Sequence, residues 1–194
     1  MRQELDELLC KKYPKIFRDR FAPMTETCMC WGFECGNGWY QILDSHCGNI
    51  QSHIDWSQKN HDWDVKYNAM VSKAMAGDIT DLEEYYKGYL NSEERMEETL
   101  EQGLKEVRPV IPQVVASQVK EKFGGLRFYY TGGDDTIDGM VRMAESWAYN
   151  TCESCGQPGE LFPKSTGKGI TGWMHIHCQA CEDQRNKERE NASV

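Results

Sequence analysis

The chain has 194 residues and a formal net charge of −9, and apolar residues make up 39% of it. This length predicts one compact domain or one domain with a small appendage, and six Trp, nine Tyr and six Phe argue against a disordered chain. No apolar run approaches the roughly 18 residues of a membrane span, and the N-terminal segment lacks the apolar run of a secretory signal. We therefore expect a cytoplasmic protein whose nine cysteines stay reduced and serve as metal ligands or core residues.

The charge is distributed unevenly along the chain. Residues 78–106 contain ten acidic and three basic residues, a net charge of −7. Residues 108–131 contain four basic residues and one acidic residue, a net charge of +3. The overall charge disfavours general nucleic-acid binding, because such binding depends on neutralising phosphates. Any anion-binding surface is expected in the second of these segments.

The predicted elements begin with a short amphipathic helix over residues 2–12, where leucines recur at helical spacing. Residues 22–38 predict a loop and a short strand that end in a Gly-Asn-Gly turn. Apolar residues then recur every three or four positions over 39–55. That spacing predicts a helix with one buried stripe.

Residues 57–107 differ in composition and predict a helical insertion with a solvated acidic face. We expect one helix over 65–75 within it. Two further helices are expected to have Thr80 and Ser92 as their capping residues. The first of these two would run to Leu90.

A β-hairpin is predicted after the insertion. Residues 113–121 alternate between two faces, and residues 126–130 are rich in residues that favour strands. Gly124 and Gly125 are expected to form the turn between them. A capped helix should follow and run to about residue 150.

The C-terminal part of the chain contains two Cys-x2-Cys pairs that are separated by 22 residues: Cys152, Cys155, Cys178 and Cys181. Each pair spans one tight turn, so the spacing predicts a site for one Zn²⁺. A hairpin between the pairs and a second pair that opens a helix are the layout of a treble-clef finger. Four thiolates close the tetrahedron, which is typical of structural zinc, whereas catalytic zinc keeps an open position. His175 or His177 could replace one sulfur, but we expect these histidines to face solvent or to support the ligands.

Two other groups of residues are weaker candidates. Cys28, Cys30, Cys35 and Cys47 could form a second metal site, but their spacing matches no common finger and buried thiols explain them as well. A nucleophilic Cys-His-Asp arrangement lacks any mark of an activated thiol. We therefore expect that the protein is not an enzyme. A catalytic site that the sequence does not reveal is the alternative.

The predicted hairpin carries the basic and aromatic cluster of the chain. Its candidate anion-binding residues are Lys120, Lys122, Arg127 and Tyr129. Such a surface could stack on a base or a nucleotide. The simpler interpretation is a two-stranded sheet whose aromatic side chains pack against the following helix.

Four strings of the sequence are distinctive. They are Gly36-Asn37-Gly38-Trp39-Tyr40-Gln41-Ile42-Leu43, Val119-Lys120-Glu121-Lys122-Phe123-Gly124-Gly125-Leu126-Arg127-Phe128-Tyr129, Thr151-Cys152-Glu153-Ser154-Cys155-Gly156-Gln157-Pro158-Gly159 and Gly172-Trp173. They resemble a family of small uncharacterised proteins from bacteriophages, prophages and bacteria, over about 28–56 and 114–181. The resemblance implies a phage-type origin and a zinc site, and it implies no activity.

The sequence thus predicts an α+β fold: helices packed on a β-hairpin, with a C-terminal treble-clef-like zinc finger of four cysteines. The expected organisation is a core over 1–150 with an acidic insertion at about 57–107, a finger over 151–185 and a flexible tail over 186–194. The predicted function is that of a non-enzymatic, zinc-binding, phage-type accessory protein in the host cytoplasm. It would bind a host or phage protein with a basic surface and could inhibit a host function. The alternative is a nucleotide or nucleic-acid binder that uses the hairpin from Lys120 to Tyr130.

Overall fold

A computed structural model describes residues 1–163 and 173–192. Helices and strands both contribute, as the α+β prediction requires. The helices are α1 (Gln3–Lys12), α2 (Tyr40–Met75), α3 (Thr80–Tyr86), α4 (Ser92–Gln102), α5 (Asp135–Ala148) and α6 (Gln179–Ala192). The strands are β1 (Phe33–Glu34), β2 (Val115–Lys122), β3 (Gly125–Thr131), β4 (Glu160–Phe162) and β5 (His175–His177).

The chain divides into two compact units. Met1–His53 and Pro112–Val194 form the first unit, and Ile54–Ile111 forms the second. The predicted insertion at 57–107 lies within the second unit. None of the helices in the described ranges combines the length and the apolar character that crossing a bilayer would require.

The first unit is built on a three-stranded sheet. β2 pairs antiparallel with β3 and parallel with β1, a neighbour that the sequence does not predict. Val119 of β2 and Phe128 of β3 are buried. The Phe128 ring centroid lies 6.5 Å from that of Phe17 and 4.9 Å from that of His46, both in edge-on contact. Phe128 is therefore a core residue and does not belong to a base-stacking surface.

The hairpin turn lies one residue earlier than predicted. Lys122 pairs with Gly125, so the turn residues are Phe123 and Gly124, with φ of 54° and 80°. Positive φ at both central positions is the type I′ geometry that suits twisted strands. Gly125 belongs to β3 and lies against Tyr149, since a Cβ at this position would come within 2.5 Å of the Tyr149 ring.

The long helix α2 replaces two separately predicted helices. It runs unbroken for 36 residues, whereas 39–55 and 65–75 were expected to be distinct. The segment between them contains no proline or glycine, so nothing in its composition ends the helix. The stripe predicted for its first part is present, and it consists of Ile42, Leu43, Cys47, Ile50 and Ile54.

The two short helices of the second unit also begin and end differently from the prediction. Thr80 and Ser92 are the first residues of α3 and α4 and do not cap them. The Thr80 amide donates to the Asp78 carboxylate at 3.2 Å, and Asn91 precedes α4 with a left-handed φ of 59°. α3 ends at Tyr86, earlier than expected.

The second unit has its own small core. The core consists of Tyr67, Met70, Val71, Ala74 and Leu82. The segment after α4 is fixed by the Asp64 carboxylate, which accepts hydrogen bonds from Arg108 Nε at 2.7 Å and Nη2 at 2.8 Å. These bonds lower the pKa of Asp64 to about 2. The unit therefore closes on itself through an ion pair and a cluster of aromatic and aliphatic side chains.

The C-terminus differs from the flexible tail predicted over 186–194. α6 continues to Ala192, and Gln184 Nε2 donates to Glu188 Oε1 one helical turn away, at 2.8 Å. Such i,i+4 pairs support a polar helix. β4 and β5 form the predicted antiparallel hairpin, and its expected tip at 167–169 lies outside the described residues.

Gly125→Ala is expected to destabilise the protein by about 1 kcal/mol, because the new Cβ would displace the end of the Tyr149 side chain, whose hydroxyl accepts from Arg127. The midpoint of denaturant unfolding measures this change. Gly139→Ala in α5 is the matched control, since a Cβ there meets no atom within 4 Å. The control should be neutral or stabilising by up to about 1 kcal/mol. Equal midpoints for the two variants would contradict the packing role of Gly125.

Candidate metal centre

The four predicted cysteine ligands come together in the structure. The sulfur atoms of Cys152, Cys155, Cys178 and Cys181 all lie within 4.8 Å of one another. The Sγ atoms of Cys155 and Cys178 are 3.7 Å apart. A tetrahedral ion with bonds of about 2.3 Å to sulfur separates its ligands by about 3.8 Å. The spacing therefore fits a four-thiolate site.

The first cysteine pair lies on a tight turn over residues 152–156, which we call the knuckle. The Gly156 amide donates to the Cys152 carbonyl at 2.9 Å, and Gly156 has a φ of 79°. Glycine adopts this left-handed conformation without the steric cost that a Cβ brings. The turn thereby directs both sulfurs of the pair toward one point.

The second pair lies where β5 meets α6. Cys178 follows the strand and Cys181 lies in the first helical turn. A backbone hydrogen bond from Cys181 lowers the pKa of Cys178 to about 7, whereas burial raises the pKa of Cys181. Four neighbouring thiols cannot all lose their protons without a balancing positive charge, and a bound metal cation supplies that charge.

Two glycines before α2 hold the knuckle. The Gly38 amide donates to the Glu153 carbonyl at 2.7 Å, and the Gly36 amide donates to the Glu153 carboxylate at 2.8 Å. A Cβ on Gly38 would lie only 2.1 Å from the Cys152 carbonyl oxygen. The sequence predicts a turn at Gly-Asn-Gly but not this close backbone contact, for which the two glycines are the only signal.

Trp39, the residue after Gly38, links the start of α2 to the segment before the knuckle from within the core. Its side chain is fully buried, and its indole Nε1 donates to the Thr151 carbonyl at 2.9 Å. Because α2 begins at the next residue, the start of this helix is fixed against the residue that precedes the knuckle.

A second group of potential ligands lies beside the sulfurs. His175 Nε2 is 2.6 Å and His177 Nδ1 is 3.1 Å from Oε2 of Glu182. The three residues are 6%, 9% and 8% exposed. The histidines therefore do not face solvent, and the alternative expectation, that they support the zinc ligands, stays a prediction. Burial alone would raise the pKa of Glu182, but hydrogen bonds with His175 and His177 bring it below its ordinary value.

The sequence contains a signal for this group. Alternation along β5 places His175 and His177 on one face, with buried Ile176 on the other. Glu182 then follows in the first turn of α6. A His-x-His pair directly before Cys-x2-Cys-Glu could have predicted the convergence of the three side chains.

The other cysteines do not form a metal site in the part of the chain that the structure describes. There, only the four-cysteine set and the His175, His177 and Glu182 set bring three or more such ligand atoms together. Cys28 is exposed, whereas Cys35 and Cys47 are buried. Burial raises the pKa of Cys35 to about 12 and also raises that of Cys47. Cys35 and Cys47 are therefore core residues without an activated thiol, and the idea of a second site from the N-terminal cysteines is wrong.

The candidate anion-binding residues of the hairpin have different environments. Arg127 Nη2 donates to the Tyr149 hydroxyl at 3.0 Å, so this guanidinium is held by the residue that follows α5. Lys120 Nζ lies 5.5 Å from the Tyr129 ring centroid. Lys122 and Tyr129 are exposed. The structure thus leaves Lys122 and Tyr129 exposed and Lys120 half-buried, and it keeps Arg127 engaged.

No protein-family model, curated protein or solved structure matches this chain. The residues themselves must therefore carry the functional argument. Their chemistry is clearest at the four sulfurs, which form a donor set suited to a thiophilic metal ion.

Gly38→Ala is expected to loosen the metal centre, because a Cβ would lie 2.1 Å from Cys152 O and 2.4 Å from Gly156 N. We expect a loss of at least about 1 kcal/mol of stability and faster release of bound metal to a colorimetric chelator. Gly139→Ala, in open space, should release metal at the wild-type rate. Identical release from both variants would show that the Gly38 contact does not support the centre.

Proposed function

We propose that this chain is a non-enzymatic, phage-type accessory protein that binds a basic host or phage protein through the exposed acidic face of α4. In this proposal, Zn²⁺ on the four cysteines holds together a treble-clef-like finger within the first unit. The observation that carries the proposal is a set of exposed carboxylates on a unit with its own core.

Zinc is the metal that best suits the four-cysteine site. Four thiolates leave no position for water, so the metal would stabilise the fold and take no part in a reaction. The order of elements also supports a treble-clef-like finger: the knuckle, the β4–β5 hairpin, and a ligand pair at the start of α6. A hairpin with strands of three residues each cannot make a core alone, so metal binding would supply much of its folding energy.

The acidic face of α4 is turned to solvent. Glu93, Glu94, Glu97 and Glu98 are all exposed. Within the described ranges, no ion pair joins any of these four carboxylates to a cationic side chain. Their charges therefore act at long range and favour encounter with a basic surface.

An apolar anchor lies at the start of the same helix. Tyr89 is 52% exposed and Leu90 is 83% exposed, directly before α4. Tyr89 is held by ring contacts with Tyr85 and Tyr86, whose centroids lie 6.2 and 5.8 Å away. Fixed aromatic side chains are frequent anchors of protein interfaces. An acidic face beside exposed apolar side chains supports a protein partner in preference to a small dissolved cation.

The resemblance to phage and prophage proteins supports a setting in the host cytoplasm, where thiols remain reduced. A partner with a basic surface in that compartment would include host proteins that bind nucleic acid. Occupying such a surface with the acidic face would inhibit the host protein, because the carboxylates would compete with phosphates.

A second candidate function is nucleotide or nucleic-acid binding at the hairpin. A cleft of about 450 Å³ is lined by Lys120, Lys122, Phe123 and Trp173. Phe123 is 64% and Trp173 is 70% exposed, and exposed rings beside lysines can stack on bases. Arg127 would contribute less than its position in the sequence suggests, since Tyr149 already holds it.

Purified, reduced protein is expected to contain zinc bound by four thiolates, as shown by elemental analysis and by the absorption spectrum after cobalt substitution. Cys155→Ser should lose that metal and the order of the finger, while the helical signal of α2 persists. Absence of zinc from protein purified under reducing conditions would contradict the metal assignment.

Reversing Glu93, Glu94, Glu97 and Glu98 to Lys is expected to slow association with a partner captured from host extract, because long-range attraction is lost. Zinc content should not change. The association rate would be measured over a series of salt concentrations, and the wild-type rate should fall as salt screens the charges.

The matched control reverses Glu7, Glu26, Glu188 and Glu190, four exposed acids of the first unit, with the same change in net charge. This control should keep most of the wild-type rate. Should both reversals act equally, total charge and not the α4 face would be responsible. If Lys122→Ala abolishes binding while the α4 reversal leaves it intact, the hairpin is the functional surface and an anionic ligand becomes the better proposal.

A further inference from the structure

His175, His177 and Glu182 form a buried group that the four-cysteine site does not use. Their inward atoms are Nε2 of His175, Nδ1 of His177 and a carboxylate oxygen of Glu182, and the three side chains offer ligand atoms within 4.8 Å of one another. Two imidazoles and one carboxylate are a common ligand set for zinc and related divalent metals.

The outward nitrogens of both histidines have partners of their own. His175 Nδ1 lies 2.9 Å from the Trp173 carbonyl oxygen and must donate to it, because a carbonyl only accepts. His177 Nε2 lies 2.9 Å from Ser154 Oγ. Histidines that bind a metal with one nitrogen usually bind a carbonyl, a carboxylate or a water with the other, which fixes the tautomer. The His175 ring is oriented in this way, and the Ser154 hydroxyl holds the outward nitrogen of His177.

Hydrogen bonds within the group leave a conflict at His175. Its Nε2 lies 2.6 Å from Glu182 Oε2. Because a carboxylate only accepts, this hydrogen bond requires a proton on Nε2. Arg185 Nη1, which can only donate, contacts both ring nitrogens and lies 2.6 Å from Nδ1, which already donates to the Trp173 carbonyl. If Nε2 is unprotonated, its lone pair faces the carboxylate of Glu182. If both ring nitrogens are protonated, the cationic ring lies against the cationic guanidinium of Arg185.

A divalent cation would remove this conflict. It would accept the lone pairs of both inward nitrogens and of the Glu182 carboxylate at once, and the Arg185 side chain would turn aside. Arg185 Nη1 lies 3.9 Å from the Glu182 carboxylate and already brings one positive charge to the group. A metal would thus compete with a cation that the chain itself provides.

A cleft of about 500 Å³ reaches the group and is lined by His175, His177 and Arg185. Three further carboxylates line the same cleft, beside Arg185 and Met1: Glu34, Glu121 and Glu153. This charge distribution favours a cation over an anion. The cleft also gives a metal ion a path from solvent to the two histidine rings.

We propose that His175, His177 and Glu182 form a second, exchangeable site for a divalent metal of the zinc class, with Arg185 as the displaceable competitor. Three protein ligands leave a coordination position that water can fill from the cleft, unlike the closed four-cysteine site. The second site is independent of partner binding by α4.

Full-length, reduced protein titrated with Co²⁺ tests this proposal. Wild type is expected to bind two equivalents, the first with the sulfur-to-cobalt charge-transfer bands of a thiolate site and the second with weak visible bands alone. Glu182→Gln and His177→Gln should lose the second equivalent and keep the charge-transfer bands. Arg185→Met should keep both and fill the second site at a lower cobalt concentration, because the competing charge is gone.

Glu188→Gln, an exposed change on the same helix, is the matched control and should bind two equivalents as wild type does. One equivalent in both wild type and Arg185→Met would overturn the proposal. A second equivalent that persists in both Glu182→Gln and His177→Gln would overturn it as well. If a ligand variant misfolds and loses the charge-transfer bands, the wild-type and Arg185→Met titrations decide the question by themselves.

Discussion

The close backbone contact between Gly38 and the knuckle is the constraint on which the first unit depends. It joins two segments that are distant in sequence through the hydrogen bond from the Gly38 amide to the Glu153 carbonyl, 2.7 Å long. A side chain on Gly38 would separate the two backbones. Because Trp39 and the start of α2 follow directly, the same contact aligns the metal ligands with the main helix and the sheet.

Different interactions hold the second unit together. Its core is small and rich in aromatic contacts, and the chain that returns from α4 is held by Arg108 on Asp64 and by hydrogen bonds between Lys105 and Asn68. An acidic segment of net charge −7 would repel itself in a compact core. Half of its ten carboxylates lie on α4, where exposure keeps them hydrated while the apolar side chains close the unit.

Much of the architecture could be predicted from local patterns. The Cys-x2-Cys pairs, the alternation of the hairpin and the apolar stripe of α2 each report a single element, and the structure contains all three.

The predictions that failed concern features that depend on residues distant in sequence. Gly125 appeared to be a turn residue, but it is kept small by Tyr149 and the turn moves to Phe123 and Gly124. His175 and His177 were expected to face solvent or to support the zinc ligands, but both are buried. Their burial depends on Glu182, because burying an ionisable side chain without a partner costs free energy. The burial of such a residue can therefore be predicted only when its partner is identified as well.

The segment from His175 to Glu182 serves both ligand sets, and this fixes their relationship. Cys178 follows His177 directly, and Cys181 directly precedes Glu182, so neighbouring side chains point to different sites. Any force that holds the two sulfurs also sets the direction of the histidines and the carboxylate. The closed four-cysteine site is therefore the rigid support, and the buried set beside it gains its geometry from that support. A binding site placed on a rigid element needs less ordering of its own side chains when the ligand arrives.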